Sequence, residues 1–224
     1  MEDLKQRARG ISLGIYAADL GALRKAATEF AEWGAGILHF DVMDGVFVPG
    51  MTAGPGFVKA LDVGLLRDVH LMVENPARHV ASYVKAGADI VTVHAEAADA
   101  AQALNAIRTA AEESGRPVLA GLGLMPQTPL SEIRALLDMQ PDLVLVLSLD
   151  PRRKDPPDIA TACARVQELR TICGHKPVIA FDGGVTLDSI REIRACNPEM
   201  IVSGSAVLGA NNPQRAFETM TRID

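Results

Sequence analysis

Short apolar runs alternate along the chain with longer segments in which apolar residues recur at helical spacing. The runs cover residues 11–17, 36–42, 68–73, 89–95, 117–124, 142–149, 177–184 and 200–207. Continuous Val, Ile and Leu runs of this length are typical of strands buried on both faces, as in parallel sheets. The runs therefore predict eight parallel strands.

The segments between the runs predict helices. Residues 20–35 (LGALRKAATEFAEWGA) and 75–88 (NPARHVASYVKAGA) carry apolar residues at helical spacing and place a glycine where a helix would end. A strand followed by a helix, repeated at intervals of about 25 to 30 residues, is the pattern of a (β/α)8 TIM barrel. We therefore predict an α/β fold, a (β/α)8 TIM barrel with residues 1–224 as a single domain. A doubly wound open sheet is the alternative, because alternation alone does not show closure.

The composition suits this fold and narrows the class of partner. Of the residues, 48% are hydrophobic but only 4% are aromatic, which fits an aliphatic core of strands under helices. The net charge is −6, so the chain repels nucleic-acid phosphates and anionic membrane surfaces on average. The charged start MEDLKQRARG lacks the apolar core of a secretory signal. We therefore predict a cytoplasmic protein that binds neither nucleic acid nor membranes.

Ionisable side chains stand near the ends of three predicted strands. His39 and Asp41, in the stretch HFDVMDG, are two residues apart and so point to the same side of the second strand. His70 stands at the corresponding point of the third strand, and Asp182 ends the seventh. The carboxyl ends of barrel strands meet at one mouth. Two imidazoles and two carboxylates there would suit one divalent Zn²⁺, Fe²⁺, Mn²⁺ or Co²⁺ ion.

Each of these residues also has an ordinary structural interpretation. A single strand histidine is more often hydrogen-bonded in the core than bound to a metal, and an aspartate can cap the next turn, as Asp44 before Gly45 is expected to do. Only the conjunction of the four favours a metal site. His94 ends the fourth strand and is either a fifth polar side chain of the mouth or a buried structural group.

Four segments of the sequence resemble the ribulose-phosphate 3-epimerase family. They are residues 38–55, 68–96, 181–185 and 202–209, within a similarity that runs from about residue 11 to the C-terminus. The resemblance implies a metal-dependent interconversion of D-ribulose 5-phosphate and D-xylulose 5-phosphate, in the pentose phosphate pathway. The positions that match the family's metal ligands are His39, Asp41, His70 and Asp182.

The same resemblance implies further roles. Asp41 and Asp182 match the acid and base that act on opposite faces of a planar enediolate, one removing the C3 proton and the other returning one. Met43 and Met72 match methionines that cover this intermediate, although ordinary core filling explains them equally well. The positions that match the phosphate site are Gly183, Gly184, Gly204 and Ser205.

The sequence departs from the family pattern around the same pocket. After the sixth strand, the family's glycine-rich lid, Asn-Pro-Gly-Phe-Gly-Gly-Gln, is replaced by SLDPRRKDPPDIA at 148–160. Gly14 and Ala17 stand in place of two serines, and Leu147 and Met125 in place of a methionine and an asparagine. We expect the chemistry to survive these changes, whereas the groups that recognise the sugar and its phosphate differ.

The replaced loop carries two arginines, Arg152 and Arg153. One hypothesis is that one or both hold the phosphate, since a guanidinium makes bidentate, charge-assisted hydrogen bonds to phosphate oxygens. The alternative is a solvated surface loop, flanked by Asp150 and Asp155.

Three functions remain open at this stage. They are a ribulose-phosphate 3-epimerase, a 3-epimerase of a different ketose phosphate, and a non-catalytic sugar-phosphate binding protein on the same scaffold. A small phosphorylated sugar is the expected partner, and a homo-oligomer is the expected assembly.

Overall fold

A computed structural model describes residues 1–222 of the chain. Its strands are β1 (Gly10–Gly14), β2 (Ile37–Met43), β3 (Leu66–Met72), β4 (Ile90–His94), β5 (Leu119–Leu124), β6 (Leu143–Leu147), β7 (Val178–Asp182) and β8 (Met200–Ser203). They form a closed parallel barrel in chain order, in which β1 pairs with both β2 and β8. The predicted TIM barrel is therefore confirmed, and the open doubly wound sheet is excluded.

Helices connect the strands. Within the described range they are α1 (Glu2–Arg7), α2 (Leu23–Glu32), α3 (Pro55–Ala60), α4 (Val80–Lys85), α5 (Ala100–Ser114), α6 (Arg134–Asp138), α7 (Ile159–Cys173), α8 (Ile190–Ala195), α9 (Ser205–Leu208) and α10 (Pro213–Arg222). The two helices predicted from the pattern are α2 and α4. Each is followed within two residues by a glycine with positive φ, Gly34 at +84° and Gly87 at +97°, as a helix end requires.

Six of the predicted runs are longer than the strands that overlap them. The first, seventh and eighth runs were expected to continue to residues 17, 184 and 207, but the strands end at Gly14, Asp182 and Ser203. After β7 the reason is visible in the backbone, because Gly183 and Gly184 adopt φ of +93° and +62° and turn the chain out of the extended conformation. These three ends lie at or next to a glycine at the mouth of the barrel.

The apolar core has two layers, one between strands and helices and one inside the barrel. Phe30, Phe40 and Phe181 belong to the outer layer, whereas Ile37 belongs to the inner one. Helix α1 closes the amino end of the barrel, since Leu4 packs into the inner layer. Side chains alternate along β2, so its inward-facing polar residues follow Ile37 toward the carboxyl end. The open, polar end is therefore the one at which the strands finish.

One sequence prediction on the fold is not tested by the described residues. The extent of a single domain over residues 1–224 remains a prediction, because Ile223 and Asp224 lie outside the described residues. Among residues 1–222, none of the helices has the length and apolar character to cross a bilayer.

Candidate active site

The carboxyl ends of β2, β3 and β7 bring the four predicted ligands together. In the β2–β3 register, Asp41 lies opposite His70, and Asp182 is the last residue of β7. Ligand atoms from His39, Asp41, His70 and Asp182 all lie within 4.8 Å of one another. Donor atoms that share one ion at about 2.0 to 2.2 Å are at most about 4.4 Å apart. This histidine–aspartate cluster therefore needs only small side-chain adjustments to hold one divalent ion.

A buried carboxylate orients His39. Nδ1 of His39 lies 2.7 Å from Oδ2 of Asp68, the residue opposite it in the register, and Ser12 Oγ donates to the same oxygen at 3.0 Å. If Nδ1–H donates to Asp68, Nε2 is the nitrogen that faces Asp41, 3.1 Å from Oδ1. Although burial opposes the charged form, Asp68 and Asp41 raise the pKa of His39 well above its usual range.

A second imidazole orients His70. Nδ1 of His70 is 3.0 Å from Asp41 Oδ1 and 3.8 Å from Asp182 Oδ2. On the other side of the ring, Nε2 is 2.8 Å from Nε2 of His94, whose Nδ1 is 3.0 Å from Glu96 Oε2. His94 is fully buried. It is therefore a structural support behind the cluster and not a fifth side chain of the mouth.

The hydrogen bonds around Glu96 indicate which ring nitrogens of His94 and His70 carry a proton. Glu96 accepts from the Met125 N–H at 2.8 Å and from the Thr128 hydroxyl. Because an ionised carboxylate has no proton to donate, His94 Nδ1 must carry the proton in its contact with Glu96. Burial lowers the pKa of His94 to about 4, and the neutral ring has Nε2 free to accept from His70 Nε2–H. The lone pair of His70 Nδ1 therefore faces the cluster.

The two carboxyl groups of the cluster differ in proton affinity. Despite burial, the charge of His39 and its hydrogen bond lower the pKa of Asp41. Burial and the neighbouring Asp41 charge raise the pKa of Asp182 to about 6. Asp41 therefore holds its charge more firmly, and Asp182 takes up a proton more readily.

The cluster opens into a cavity of about 460 Å³, within the range of small-molecule sites. Asp41, His70 and Asp182 line it, and the methionines Met43 and Met72 lie beside them, paired across β2 and β3. On the side of the cavity formed at the ends of β7, β8 and β1 lies a set of small residues that we call the glycine rim: Gly14, Ala17, Gly183, Gly184, Gly204 and Ser205. The structure thus brings the predicted methionines and the predicted phosphate residues to one cavity.

Close packing explains why the glycine rim has few side chains. A Cβ on Gly204 would lie 3.2 Å from the Cβ of Ala17 and 3.3 Å from the carbonyl oxygen of Gly14. A Cβ on Gly184 would lie 2.5 Å from Pro157 Cβ, at a φ of +62°. Such glycines let an anion approach main-chain N–H groups closely.

The structure does not bring Arg152 or Arg153 to the cavity. Arg152 donates from Nε at 2.9 Å and from Nη2 at 2.8 Å to the Asp150 carboxylate. Arg153 Nε lies 2.8 Å from Asp155 Oδ2, and both of these side chains are more than half exposed. The loop contributes Leu149 and Pro151 to the cavity lining instead.

Three polar residues of the site, Asp68, Glu96 and Ser203, were not predicted from the sequence. Asp68 stands two residues before His70 on β3, so the same-face spacing along a strand would have identified it, whereas Glu96 lies in the turn after β4, where that spacing does not apply. Ser203 lines the cavity, and its buried Oγ has no hydrogen-bond partner within residues 1–222.

Comparisons with known proteins connect the chain with one enzyme family. The model of the "Ribulose-phosphate 3 epimerase family" matches residues 10–208. The chloroplastic ribulose-5-phosphate-3-epimerase of Arabidopsis thaliana is 37% identical over 213 residues, which cover 93% of this chain and 74% of the relative. The ribulose-phosphate 3-epimerase of Bacillus subtilis (strain 168) is 34% identical over 213 residues, which cover 92% of this chain and 95% of the relative.

Solved structures share the fold at low sequence identity. A crystal structure of KGPDC from Streptococcus mutans superposes with a TM-score of 0.73 at 14% identity, covering 96% of this chain and 99% of that chain. The 3-hexulose-6-phosphate synthase from Salmonella typhimurium gives a TM-score of 0.70 at 17% identity, covering 96% and 97%. These likenesses establish the barrel fold.

Proposed function

Because the chain belongs to the ribulose-phosphate 3-epimerase family, we propose that it inverts C3 of D-ribulose 5-phosphate to give D-xylulose 5-phosphate. The family match makes the chain an isomerase that acts on carbohydrates. The observation that carries the finer proposal is the histidine–aspartate cluster, whose four donor atoms lie within 4.8 Å at the floor of a sugar-sized cavity.

The cluster is proposed to hold one divalent Zn, Fe, Mn or Co ion through His39 Nε2, His70 Nδ1 and the carboxylates of Asp41 and Asp182. A mixed nitrogen and oxygen donor set fits these ions without selecting among them. The ion, when bound, would supply Lewis-acid polarisation of the substrate carbonyl. The hydrogen bonds behind both imidazoles keep their ligand nitrogens directed at the cluster.

Asp41 and Asp182 are proposed to transfer the protons. Inversion at C3 requires that a proton leaves one face of the carbon and another arrives at the opposite face. The two carboxylates come from β2 and β7, which are not neighbours in the barrel, so they approach the cavity from different sides. Met43 and Met72 offer an apolar, polarizable surface beside the reacting carbon and help to exclude water.

The glycine rim is proposed to bind the phosphate. Gly183 and Gly184 hold left-handed backbone conformations there, and Gly204 and Ser205 complete the rim from the turn after β8. The unpartnered Oγ of Ser203 supplies a further hydrogen bond to a substrate oxygen.

Turnover of D-ribulose 5-phosphate in D₂O tests the proposal. The metal-loaded protein is expected to give D-xylulose 5-phosphate with deuterium at C3, observed by NMR, and the chelator-treated protein should give neither product nor exchange. Product without C3 deuterium would contradict proton transfer by solvent-exchanging carboxylates. Binding of the sugar phosphate without any turnover would favour the non-catalytic binding protein.

A 3-epimerase of a different ketose phosphate is the second candidate. Gly14 and Ala17 favour it, because they line the cavity at positions where the family pattern has two serines, so two hydroxyl groups that could recognise the sugar are missing. A panel of pentulose and hexulose phosphates distinguishes the candidates through kcat/KM. A value at least tenfold higher for another ketose phosphate would replace ribulose 5-phosphate as the substrate.

A further inference from the structure

The loop between β6 and α7 is fastened in place by its own hydrogen bonds. At its base, Ser148 N–H donates to Asp182 O at 2.9 Å and Asp158 N–H donates to Ser148 O at 2.8 Å. In its middle, the buried carboxylate of Asp150 accepts two hydrogen bonds from the guanidinium of Arg152 and a third from its main-chain N–H. The arginine is therefore held at both ends, in an orientation that the loop itself fixes.

Arg152 lies at the end of a series of ring contacts that leads to His70, a proposed metal ligand of the cluster. Its Cζ is 5.9 Å from the ring centroid of Phe47, within cation–π distance. The Phe47 ring is 5.2 Å from that of His94, which stacks on His70 at 5.0 Å with an interplanar angle of 28°. We call Arg152, Phe47, His94 and His70 the aromatic column. It joins the loop that departs most from the family pattern to the candidate metal centre.

Phe47 needs such a support because it belongs to no strand or helix. It lies in the turn after β2, where its N–H donates to Asp44 at 2.9 Å, and its ring is almost fully buried. One side of that ring meets His94 and Arg152 lies over it as well, so removal of the guanidinium would leave the ring less covered. The hydrogen bonds to Asp150 first, and the charge of Glu96 as well, raise the pKa of Arg152, so its guanidinium remains charged over the ring.

We propose that Arg152 is a positioning residue, which acts through Phe47 and His94 to fix the ring of the candidate metal ligand His70. This role replaces the phosphate contact expected from the sequence and rests on the proposed metal-dependent function. Asp150 contributes by holding the guanidinium over Phe47. The loop that stands in place of a glycine-rich lid thus stabilises the metal end of the cavity.

Cobalt titration of metal-free protein tests the role of Arg152. In Arg152→Ala, we expect the Co²⁺ dissociation constant to rise about three- to tenfold, somewhat less than for loss of a direct hydrogen-bond partner of a ligand. The visible absorption of bound Co²⁺ should also shift, because the His70 ring is less firmly oriented. KM for the ketose phosphate should change less than twofold. Arg153→Ala is the matched control, since it removes the same charge from the same loop and should leave Co²⁺ affinity and spectrum unchanged.

A double-mutant cycle separates action through the column from a general effect on the loop. If Arg152 acts through Phe47, the Arg152→Ala/Phe47→Leu protein should bind Co²⁺ no more weakly than Phe47→Leu alone. Arg152→Lys, which keeps a cation but loses the bidentate contact, should restore part of the affinity. Thermal unfolding of each variant identifies any that fail to fold, and Arg152→Lys then carries the test.

The outcomes separate this proposal from the proposed function. An Arg152→Ala protein with wild-type Co²⁺ affinity and a tenfold higher KM would overturn positioning and restore the phosphate grip. Wild-type values of both quantities, or full additivity with Phe47→Leu, would also overturn it. If wild-type protein binds Co²⁺ and the variant binds it more weakly, but no ketose phosphate is epimerised, positioning stands and the proposed reaction fails. Wild-type protein without Co²⁺ affinity would overturn both.

Discussion

The histidine–aspartate cluster and the glycine rim share one cavity, but they are built in different ways. The cluster is formed by side chains on strands, and the β2–β3 register places Asp41 opposite His70 and His39 opposite Asp68. The glycine rim is formed mainly by the backbone of loops and turns, and its residues have small side chains or none. Strand register fixes side chains over a long range, whereas a loop backbone depends on what packs against it. Substitutions at the two places should therefore fail in different ways.

The cluster and the rim also differ in the residues that support them. Both histidines of the cluster are held by buried polar partners, Asp68 for one and His94 for the other. The rim instead depends on van der Waals fit, as where Gly184 approaches Pro157. Damage to the cluster should appear in metal affinity and kcat, and damage to the rim in KM and stability.

The largest effect is expected for Asp182→Asn. The amide does not take up and return a proton, and general acid–base catalysis is typically worth about 10²- to 10⁴-fold. We therefore expect kcat to fall by that factor, measured by conversion of D-ribulose 5-phosphate. Asp188→Asn, an exposed residue shortly after β7, is the matched control and should keep wild-type kcat. Wild-type turnover by Asp182→Asn would remove Asp182 from the mechanism.

Asp68→Asn should have the next largest effect, and on metal binding. The amide nitrogen can donate to His39 Nδ1, which then carries its proton on Nε2, the nitrogen that should bind the metal. Loss of such a partner typically weakens metal binding about 10- to 100-fold. Competition with a chelating dye measures this loss.

Asp142→Asn controls for the loss of a structural carboxylate elsewhere in the barrel. Asp142 accepts from the Ala120 N–H and pairs with Lys5 at the amino end, so its substitution should affect stability and spare the metal. Unchanged metal affinity in Asp68→Asn would show that Asp68 does not orient His39 for binding.

Gly184→Ala tests the rim, and it should change thermal stability and KM and leave metal binding unchanged. The new Cβ would meet Pro157 at 2.5 Å, and φ of +62° is itself unfavourable for alanine by about 1 to 2 kcal/mol. We expect lower thermal stability and a rise in KM of about tenfold, or about 1.4 kcal/mol, with metal affinity unchanged.

Gly115→Ala separates the two causes of that effect. Gly115 has nearly the same φ, +65°, but a Cβ there would meet no atom within 4 Å. It should therefore lose stability through φ alone and keep wild-type KM. Equal losses of stability in the two variants would mean that the contact with Pro157 adds nothing.

The sequence pattern was sufficient to predict the parallel strands and the polar residues at their carboxyl ends, whereas closure of the barrel is shown by the structure. Eight apolar runs imply parallel strands, and parallel strands bring residues such as Asp41 and Asp182 to one mouth whatever the loops do. Asp68 could also have been predicted, because it lies two residues before His70 on the same strand. These are consequences of strand geometry, which the pattern of the sequence encodes directly.

The surroundings of the two arginines could not be predicted in the same way. Contact between Arg152 and Phe47 joins residues far apart in the chain, and it depends on the path of two irregular segments. The sequence showed that Asp150 and Asp155 flank the arginines, but it did not show which partner each arginine would take. That pairing is set by loop geometry, for which no periodicity exists.

Arg153→Ala is expected to have the smallest effect. Its guanidinium pairs with Asp155, and the two side chains are 59% and 56% exposed, so the ion pair is screened by water and contributes little. Since the rim is proposed to hold the phosphate by backbone and serine groups, KM for a phosphorylated ketose should stay within about twofold of wild type, and stability within about 0.5 kcal/mol. Steady-state kinetics at low ionic strength, where any charge attraction is strongest, gives the most sensitive measurement. A tenfold rise in KM there would mean that the loop reaches the phosphate after all, and that substrate binding draws Arg153 away from Asp155 into the cavity.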